Sequence, residues 1–429
     1  MSQIFPPASS TASNAPSVRA NEPAAVGTLR ITGAVCLVLM PLVMWLANRS
    51  APLMLGLAAT AFLGAGLLAQ PASAVLARLR ALLATPLALT VAAFLAWALV
   101  SISWSHKVVP SLEFWAELVL PMAFALAIAV SGQWRPTPAL LRALAATIIL
   151  AAGLLVFELA SGLSQRMALG TGKMMGFIFN RPTIVLFLLA VPVVHALWSR
   201  PSSPTLDRLL AAILTLAVAT LVIRAESGAA RLGFAVLTLC WLLASVAPRL
   251  ASALVASVFV LTMAIAPVLG PSAERFLPSM ILNRFNAMTG QARIDIWQSF
   301  GEVARARPLA GAGFGTSATM HEHPVAAQVS PEHRTLLAAS HPHDMPLQAW
   351  AETGVVGAGL LTLAGLLLLA RLRRLPATEQ APRLALFAAA FSIATVGHGA
   401  WQGWWIAGLG AAILLFCRDA AARQGESHG

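Results

Sequence analysis

Ser340-His341-Pro342-His343-Asp344-Met345-Pro346-Leu347-Gln348, followed at once by Trp350-Ala351-Glu352-Thr353-Gly354, marks where the long polar segment of this chain returns to apolar sequence. That segment begins near Gly270 and is dense in ionisable side chains, five of the nine histidines among them, so it does not belong in hydrocarbon. On both sides the chain reads as successive apolar runs of roughly 17–20 residues. At ~1.5 Å per residue, each such run crosses a hydrocarbon core about 30 Å thick. The chain is 58% hydrophobic and only 10% charged, with mean hydropathy +0.79, far from the roughly 25% charged residues of a soluble domain. A β-barrel would show short alternating segments instead. The expected fold is an all-α polytopic membrane protein.

Working outward from the polar segment, spans read near residues 31–47, 52–69, 84–103, 115–131, 138–160, 182–198, 208–223, 231–247 and 250–269. Three more follow it, near 353–370, 383–398 and 403–417, which makes about twelve transmembrane helices. The expected organisation is a disordered tail over 1–28, helices 1–9 within 29–269, a large external loop over 270–352, helices 10–12 within 353–417, and a tail over 418–429. Residues 1–28 are rich in Ser, Ala, Pro and Asn without an apolar run, which predicts disorder and no cleavable signal.

The net charge of +12 is a topology signal in such a chain, not the footprint of a nucleic-acid partner. With both termini inside, the inner connections carry Arg78/Arg80, Arg135/Arg142, Arg200/Arg208, Arg249 and Arg371/Arg373/Arg374/Arg383. This satisfies the positive-inside rule and suits contact with anionic membrane lipids. The long loop then lies outside, which in a bacterial inner membrane is the periplasm. Cys36, Cys240 and Cys417 sit in or at the end of apolar runs and read as small core residues.

Cations in short outer loops run against that rule and ask for another reason. They include Lys107, Arg166, Lys173, Arg181, Arg224 and Arg231. Lysine occurs only at Lys107 and Lys173, both on this side. Snorkelling anchors at the headgroups account for any one of them. Their clustering beside the polar loop points also to a pocket for a multiply charged phosphate ligand.

Within the loop, residues 275–288 look amphipathic and suit an interfacial helix. Arg293-Ile294-Asp295-Ile296-Trp297-Gln298-Ser299-Phe300 opens a second helix to about Arg307, with one apolar stripe. Gly311-Ala312-Gly313-Phe314-Gly315 follows Pro308; without a strand before it and a helix after it, this is a tight turn permitting close backbone approach, not a nucleotide loop. His341 and His343 form an H-x-H pair, with His321/His323 a looser one. No third ligand stands at metal-site spacing, so no metal and no cofactor are expected. A lone histidine beside arginines suits general-base catalysis, since imidazole titrates near neutrality. Asp344, Glu352 or a backbone carbonyl is available to orient the ring; a histidine merely satisfied within the loop is the plain alternative.

Arg293-x-x-x-Trp297, Pro308-x-x-Gly311-x-Gly313-x-Gly315, His343-Asp344-x-x-x-Gln348 and Glu352-Thr353-Gly354-x-x-Gly357, in that order, resemble the signature of the O-antigen ligase and polymerase superfamily. The resemblance covers roughly residues 220–370, and length and loop size look most like the ligases. It implies a GT-C-like fold and a metal-independent, inverting transfer of O-antigen polysaccharide from undecaprenyl pyrophosphate to the lipid A-core oligosaccharide. His343 matches the family's essential histidine, Arg293 the arginine opening the loop helix, and Arg231 the arginine at an outer helix start, with Arg224 its rival. Arg181 and Lys107 are further candidates for holding the pyrophosphate, while His341 and Asp344 are candidate supports. The family more often has Asn where this chain has Asp344. An O-antigen polymerase or a protein O-oligosaccharyltransferase shares the donor chemistry. A secondary transporter would fit the span count, but would place ionisable residues mid-membrane and show repeat symmetry.

Overall fold

The structure, a computed structural model, describes residues 23–170, 175–199, 201–276, 278 and 292–417. All regular elements among them are helical. The first half comprises α1 (Ala24–Leu46), α2 (Ala51–Ala69), the short α3 (Ala72–Leu83), α4 (Pro86–Ser101), α5 (Val108–Val130) and α6 (Pro138–Ala160). After a single turn, α7 (Ser164–Ala168), come α8 (Asn180–Ser199), α9 (Pro204–Arg224), α10 (Gly228–Val246), α11 (Pro248–Ile265) and its continuation α12 (Leu269–Phe276). The loop contributes α13 (Ala292–Ala306), and the chain closes with α14 (Met345–Leu372), α15 (Ala377–Ala394) and α16 (Gly403–Phe416).

Local chemistry sets these starts. Proline opens α4, α6, α9 and α11 at the first turn, where its missing N–H costs nothing and its fixed φ suits the helix. Thr85, Thr137 and Ser227 cap α4, α6 and α10 by accepting the N–H three residues on.

Among the described residues, ten helices are long and apolar enough to cross a membrane. The two remaining expected spans are helical too, but depart from that standard for different reasons. α15 carries Glu379 and Arg383 near its start, and α16 has only 14 residues, about 21 Å of rise. The chain is an all-α polytopic membrane protein. Side chains such as Leu216, Leu239 and Val246 stand 69%, 68% and 82% exposed on spanning helices, the surface that acyl chains would cover. The expected interfacial helix over 275–288 falls almost wholly outside the described residues, as do Lys173, Arg200 and the C-terminal tail after Cys417.

Connections gather at two ends. At one, Arg78 on α3 donates from Nε to the Val130 carbonyl at 2.8 Å, Arg142 pairs with Asp207 at 2.7 Å, and Arg383 donates to the Phe416 carbonyl at 3.1 Å. At the other, Asn48 donates to the Ile178 carbonyl at 3.0 Å, Asn180 to that of Glu226 at 3.2 Å, and Lys107 pairs with Glu322 at 2.6 Å. The long loop belongs to this second end. It has its own small core, in which Phe300, Val303, Met320, Val325, Leu337 and Leu347 are fully buried.

Candidate active site

The site is built where α14 breaks. Gly354 interrupts that helix with φ +64° and ψ −166°. The loop Gly311-Ala312-Gly313 docks into the break: Ala312 N–H donates to the Ala351 carbonyl at 2.8 Å, Gly313 N–H to that of Glu352 at 2.9 Å, and Val355 N–H to that of Pro308 at 2.8 Å. A Cβ on Gly354 would lie 2.3 Å from the Leu309 carbonyl oxygen, so backbone meets backbone with no room for a side chain. This is the tight approach anticipated for the glycine triplet.

Below the break, Glu352 is fully buried and its carboxylate is met by four N–H donors. Gln348 Nε2 (2.9 Å) and Ser317 N (3.3 Å) donate to Oε1; Gly315 N (2.8 Å) and Trp401 Nε1 (2.7 Å) donate to Oε2. Gln348 Oε1 in turn accepts from Ala400 N at 2.9 Å. Three separate stretches, the glycine turn, α14 and the α15–α16 connection, are thereby tied to one side chain. Glu352 therefore supports the frame and does not orient the histidine.

The histidine turn sits beside this hub. Trp297 on α13 donates from Nε1 to the Pro342 carbonyl at 3.2 Å. Ser340 and His343 adopt left-handed backbone, φ +62° and +54°, a conformation that costs non-glycine residues energy and that surrounding contacts must hold in place. His343 Nδ1 lies 2.9 Å from the Gly397 carbonyl. A carbonyl only accepts, so in the neutral ring Nδ1 carries the proton and Nε2 keeps its lone pair. His341 has the complementary arrangement: its Nδ1 accepts the His343 N–H at 3.3 Å, which leaves Nε2–H as a donor. The two rings pack at 4.1 Å between centroids.

Burial is the main influence on both rings. It lowers the pKa of His343 below its ordinary value, with the Arg293 charge adding to the effect and the Gly397 contact opposing it. His341 is pushed down to about 3, by burial first and then by His343, His398 and Arg293. Both are neutral at pH 7. Nearby His398 is held between Trp404 and Trp405, with ring centroids 4.6 and 4.5 Å away, and burial brings its pKa to about 4.

The candidate cations fall into separate groups. Arg293 lies within electrostatic reach of His343, and its Nη1 donates to the Val396 carbonyl, the residue before the His343 acceptor. Arg293 therefore braces the segment that orients His343. Arg231 opens α10, with Nη2 3.4 Å from the Ala225 carbonyl. Gly397 faces the same first turn, since a Cβ on it would come 3.3 Å from the Ala229 Cβ. Arg224 is exposed at the end of α9. Lys107 pairs with Glu322 at 2.6 Å and does not line the cavity described below, so its ammonium is engaged in holding the loop. His323, which packs against His106 at 5.0 Å, uses its Nδ1 to accept from Val325 N at 3.0 Å. Among the described residues no group of three or more His, Cys, Asp or Glu side chains is placed to hold a metal ion.

Asp344 is the N-cap of α14: its Oδ1 accepts from Leu347 N at 2.6 Å. Burial raises its pKa to about 7 against that hydrogen bond. Asparagine accepts the same bond and caps equally well. Asp344→Asn is therefore expected to leave transfer activity and melting temperature within error of the parent. Asp344→Ala, which leaves Leu347 N without its acceptor, is expected to lose ~1 kcal/mol, read by thermal unfolding in detergent.

A cavity of about 830 Å³ opens beside the turn, lined among others by Ser340, His341, Glu352, Gln402, Arg181 and Arg49. His343 stands behind His341 and is not part of its wall. Of the candidates drawn from sequence, Arg181 and His341 face the cavity directly. Arg49, Glu113 and Glu117 also line it and were not singled out from the sequence. Glu113 and Glu117 share one face of α5 at i, i+4 spacing, a signal visible in the sequence but masked by the apolar run around them.

A family described as O-antigen ligase matches residues 115–362, more than half of the chain. The protein belongs to the O-antigen ligase family. The match runs from α5 into α14 and so takes in the glycine turn, the Glu352 hub, the histidine turn, Arg181, Arg231 and Arg293. Membership supports a glycosyltransferase-like role of the ligase and polymerase superfamily, acting on lipid-linked polysaccharide. A search among curated proteins found no match.

Proposed function

We propose that this ligase-family protein transfers O-antigen polysaccharide from undecaprenyl pyrophosphate to the lipid A-core oligosaccharide, with inversion and without a metal. The observation that carries the reading is the tautomer of His343: its Nδ1–H is committed to the Gly397 carbonyl at 2.9 Å, and its Nε2 lone pair is free, with Arg293 within electrostatic reach. In this mechanism Nε2 takes the proton of an acceptor hydroxyl while that oxygen attacks the anomeric carbon from the face opposite the diphosphate. His341 Nε2–H serves as a donor to the same substrates. Arg181 and Arg231, with Arg224 nearby, offset the charge that builds on the departing diphosphate. Planar guanidinium groups suit this because each holds two phosphate oxygens. Arg293 acts through the 395–399 segment to fix His343.

The site end faces the periplasm in this reading, because the opposite end gathers arginines on successive connections. Both termini are then cytoplasmic and the protein resides in the inner membrane. The test is direct: purified protein with a synthetic prenyl-pyrophosphate glycan and rough lipopolysaccharide, assayed in the presence of a chelator. Glycan on lipopolysaccharide is the expected product. Longer prenyl-linked chains would instead assign a polymerase, and glycan on an added protein acceptor an O-oligosaccharyltransferase. With no product from any acceptor, a transport role returns.

A further inference from the structure

We propose that the groove between α2 and α5 is the lateral portal by which a prenyl diphosphate reaches the site, with Arg49 as a phosphate ligand beside Arg181. This rests on the donor class given above; the portal, its two helices and Arg49 go beyond it. The cavity has two chemically distinct parts. Its apolar part is formed by Pro52 and Leu53 of α2 and by Leu120, Pro121 and Phe124 of α5. Leu53 and Leu120 are 61% and 51% exposed on helices able to cross a membrane. The surface they present is therefore bathed by acyl chains, not water.

The helices touch where a Cβ on Gly56 would lie 3.0 Å from the Phe124 ring, and the cavity lining on both helices stops at that level. Gly56 lies two turns below Arg49 along the chain, roughly 10 Å at the helical rise. An apolar chain end thus has a floor beneath it and an open side toward the lipid.

The polar part presents Arg49 and Arg181 together with Glu113 and Glu117. Arg181 is half-buried, and Arg49 lies near enough for the two charges to repel. Among the described residues neither side chain makes a hydrogen bond or a salt bridge. Glu117 is the carboxylate within electrostatic reach of Arg181, and its Oε2 already accepts from Gly403 N at 3.3 Å. Two guanidinium groups that form a salt bridge with neither Glu113 nor Glu117, placed at the top of a lipid-facing groove, match an amphiphile that carries two linked phosphates. A diphosphate has oxygens enough for both forks, and its prenyl chain lies along Leu53 and Leu120.

The probe is farnesyl diphosphate, which carries no glycan, titrated against the full-length protein in phosphatidylcholine nanodiscs. Arg49→Ala is expected to weaken binding by about tenfold or more, the loss of one charge-assisted contact, and Arg49→Lys by less. Leu120→Trp, on an exposed face where folding tolerates the change, is expected to weaken farnesyl diphosphate while leaving the weaker binding of inorganic pyrophosphate as it was. Unchanged affinity in Arg49→Ala or Leu120→Trp overturns the portal, as does absence of binding to the parent protein. Inorganic pyrophosphate binding as tightly as farnesyl diphosphate assigns a soluble-anion site instead. Displacement by an equal mole fraction of phosphatidylglycerol assigns a phospholipid headgroup site. Binding that behaves as expected without glycan transfer keeps the portal and removes the proposed ligase reaction; transfer with unaffected variants does the reverse.

Discussion

Glycan transfer is expected to fall by about 10²–10⁴-fold when His343 is replaced by alanine, the range a positioned general base contributes, while the variant still binds a prenyl diphosphate. The prediction has a pH counterpart. The pKa of His343 lies below its ordinary value of 6.5 because burial, and then Arg293, disfavour the imidazolium. The base works only when neutral, so the rate is highest on the alkaline side of the lowered pKa and falls as pH drops through it. Removing the Arg293 charge with Arg293→Gln raises that pKa and shifts the acid limb toward neutrality, besides slowing the reaction through the lost brace on Val396. Initial rates between pH 5 and 8.5 on purified protein read both effects. If His343→Ala keeps more than about a tenth of the activity, or if the acid limb stays in place in Arg293→Gln, His343 is not the base.

The fold was legible because lipid imposes its own period on sequence. Runs of apolar residues at spanning length gave twelve helix positions, and each is a helix in the structure. What composition hid was length and charge near the end of the chain: α16 is short, and α15 starts with an ion pair, Glu379 to Arg383 at 2.6 Å, which a hydropathy reading tends to place in a loop. The histidine turn and the helix beginning at Arg293 were legible from residue type and spacing. The partner of His343 was not, because a backbone carbonyl 54 residues away leaves no mark in side-chain chemistry. Arg49 escaped attention for a related reason. Beside a single span end it reads as an ordinary headgroup anchor, and only the approach of Arg181 from a distant helix makes it part of a cavity. Lys107 illustrates the converse: an unusual lysine beside the loop drew notice, and its carboxylate partner, Glu322, lies 215 positions on in a 3₁₀ turn.

Glu352→Leu is expected to be the most damaging single change to the frame. Four N–H groups converge on its two carboxylate oxygens, and leucine would leave them all without an acceptor. Each buried unsatisfied donor costs about 1–3 kcal/mol. Relaxation of the flexible Gln348 recovers part of this, so a net loss on the order of 3–5 kcal/mol follows, comparable to breaking a buried ion pair. Glu352→Gln tests whether the charge or only the shape matters. Its amide offers one acceptor oxygen and turns two N–H groups toward donors that need acceptors, either Gly315 N and Trp401 Nε1 or Gln348 Nε2 and Ser317 N. A smaller but clear loss is expected. Thermal unfolding in detergent, followed by tryptophan fluorescence, should show a drop on the order of 10 °C for leucine. Because Glu352 touches neither His343 nor the cations, the acid limb of the pH–rate profile should keep its position in whatever fraction of Glu352→Gln remains folded. A profile that moves would mean that the carboxylate acts on the base directly, and a glutamine variant as stable as the parent would mean that the four hydrogen bonds do not hold the glycine turn, α14 and the α15–α16 connection together.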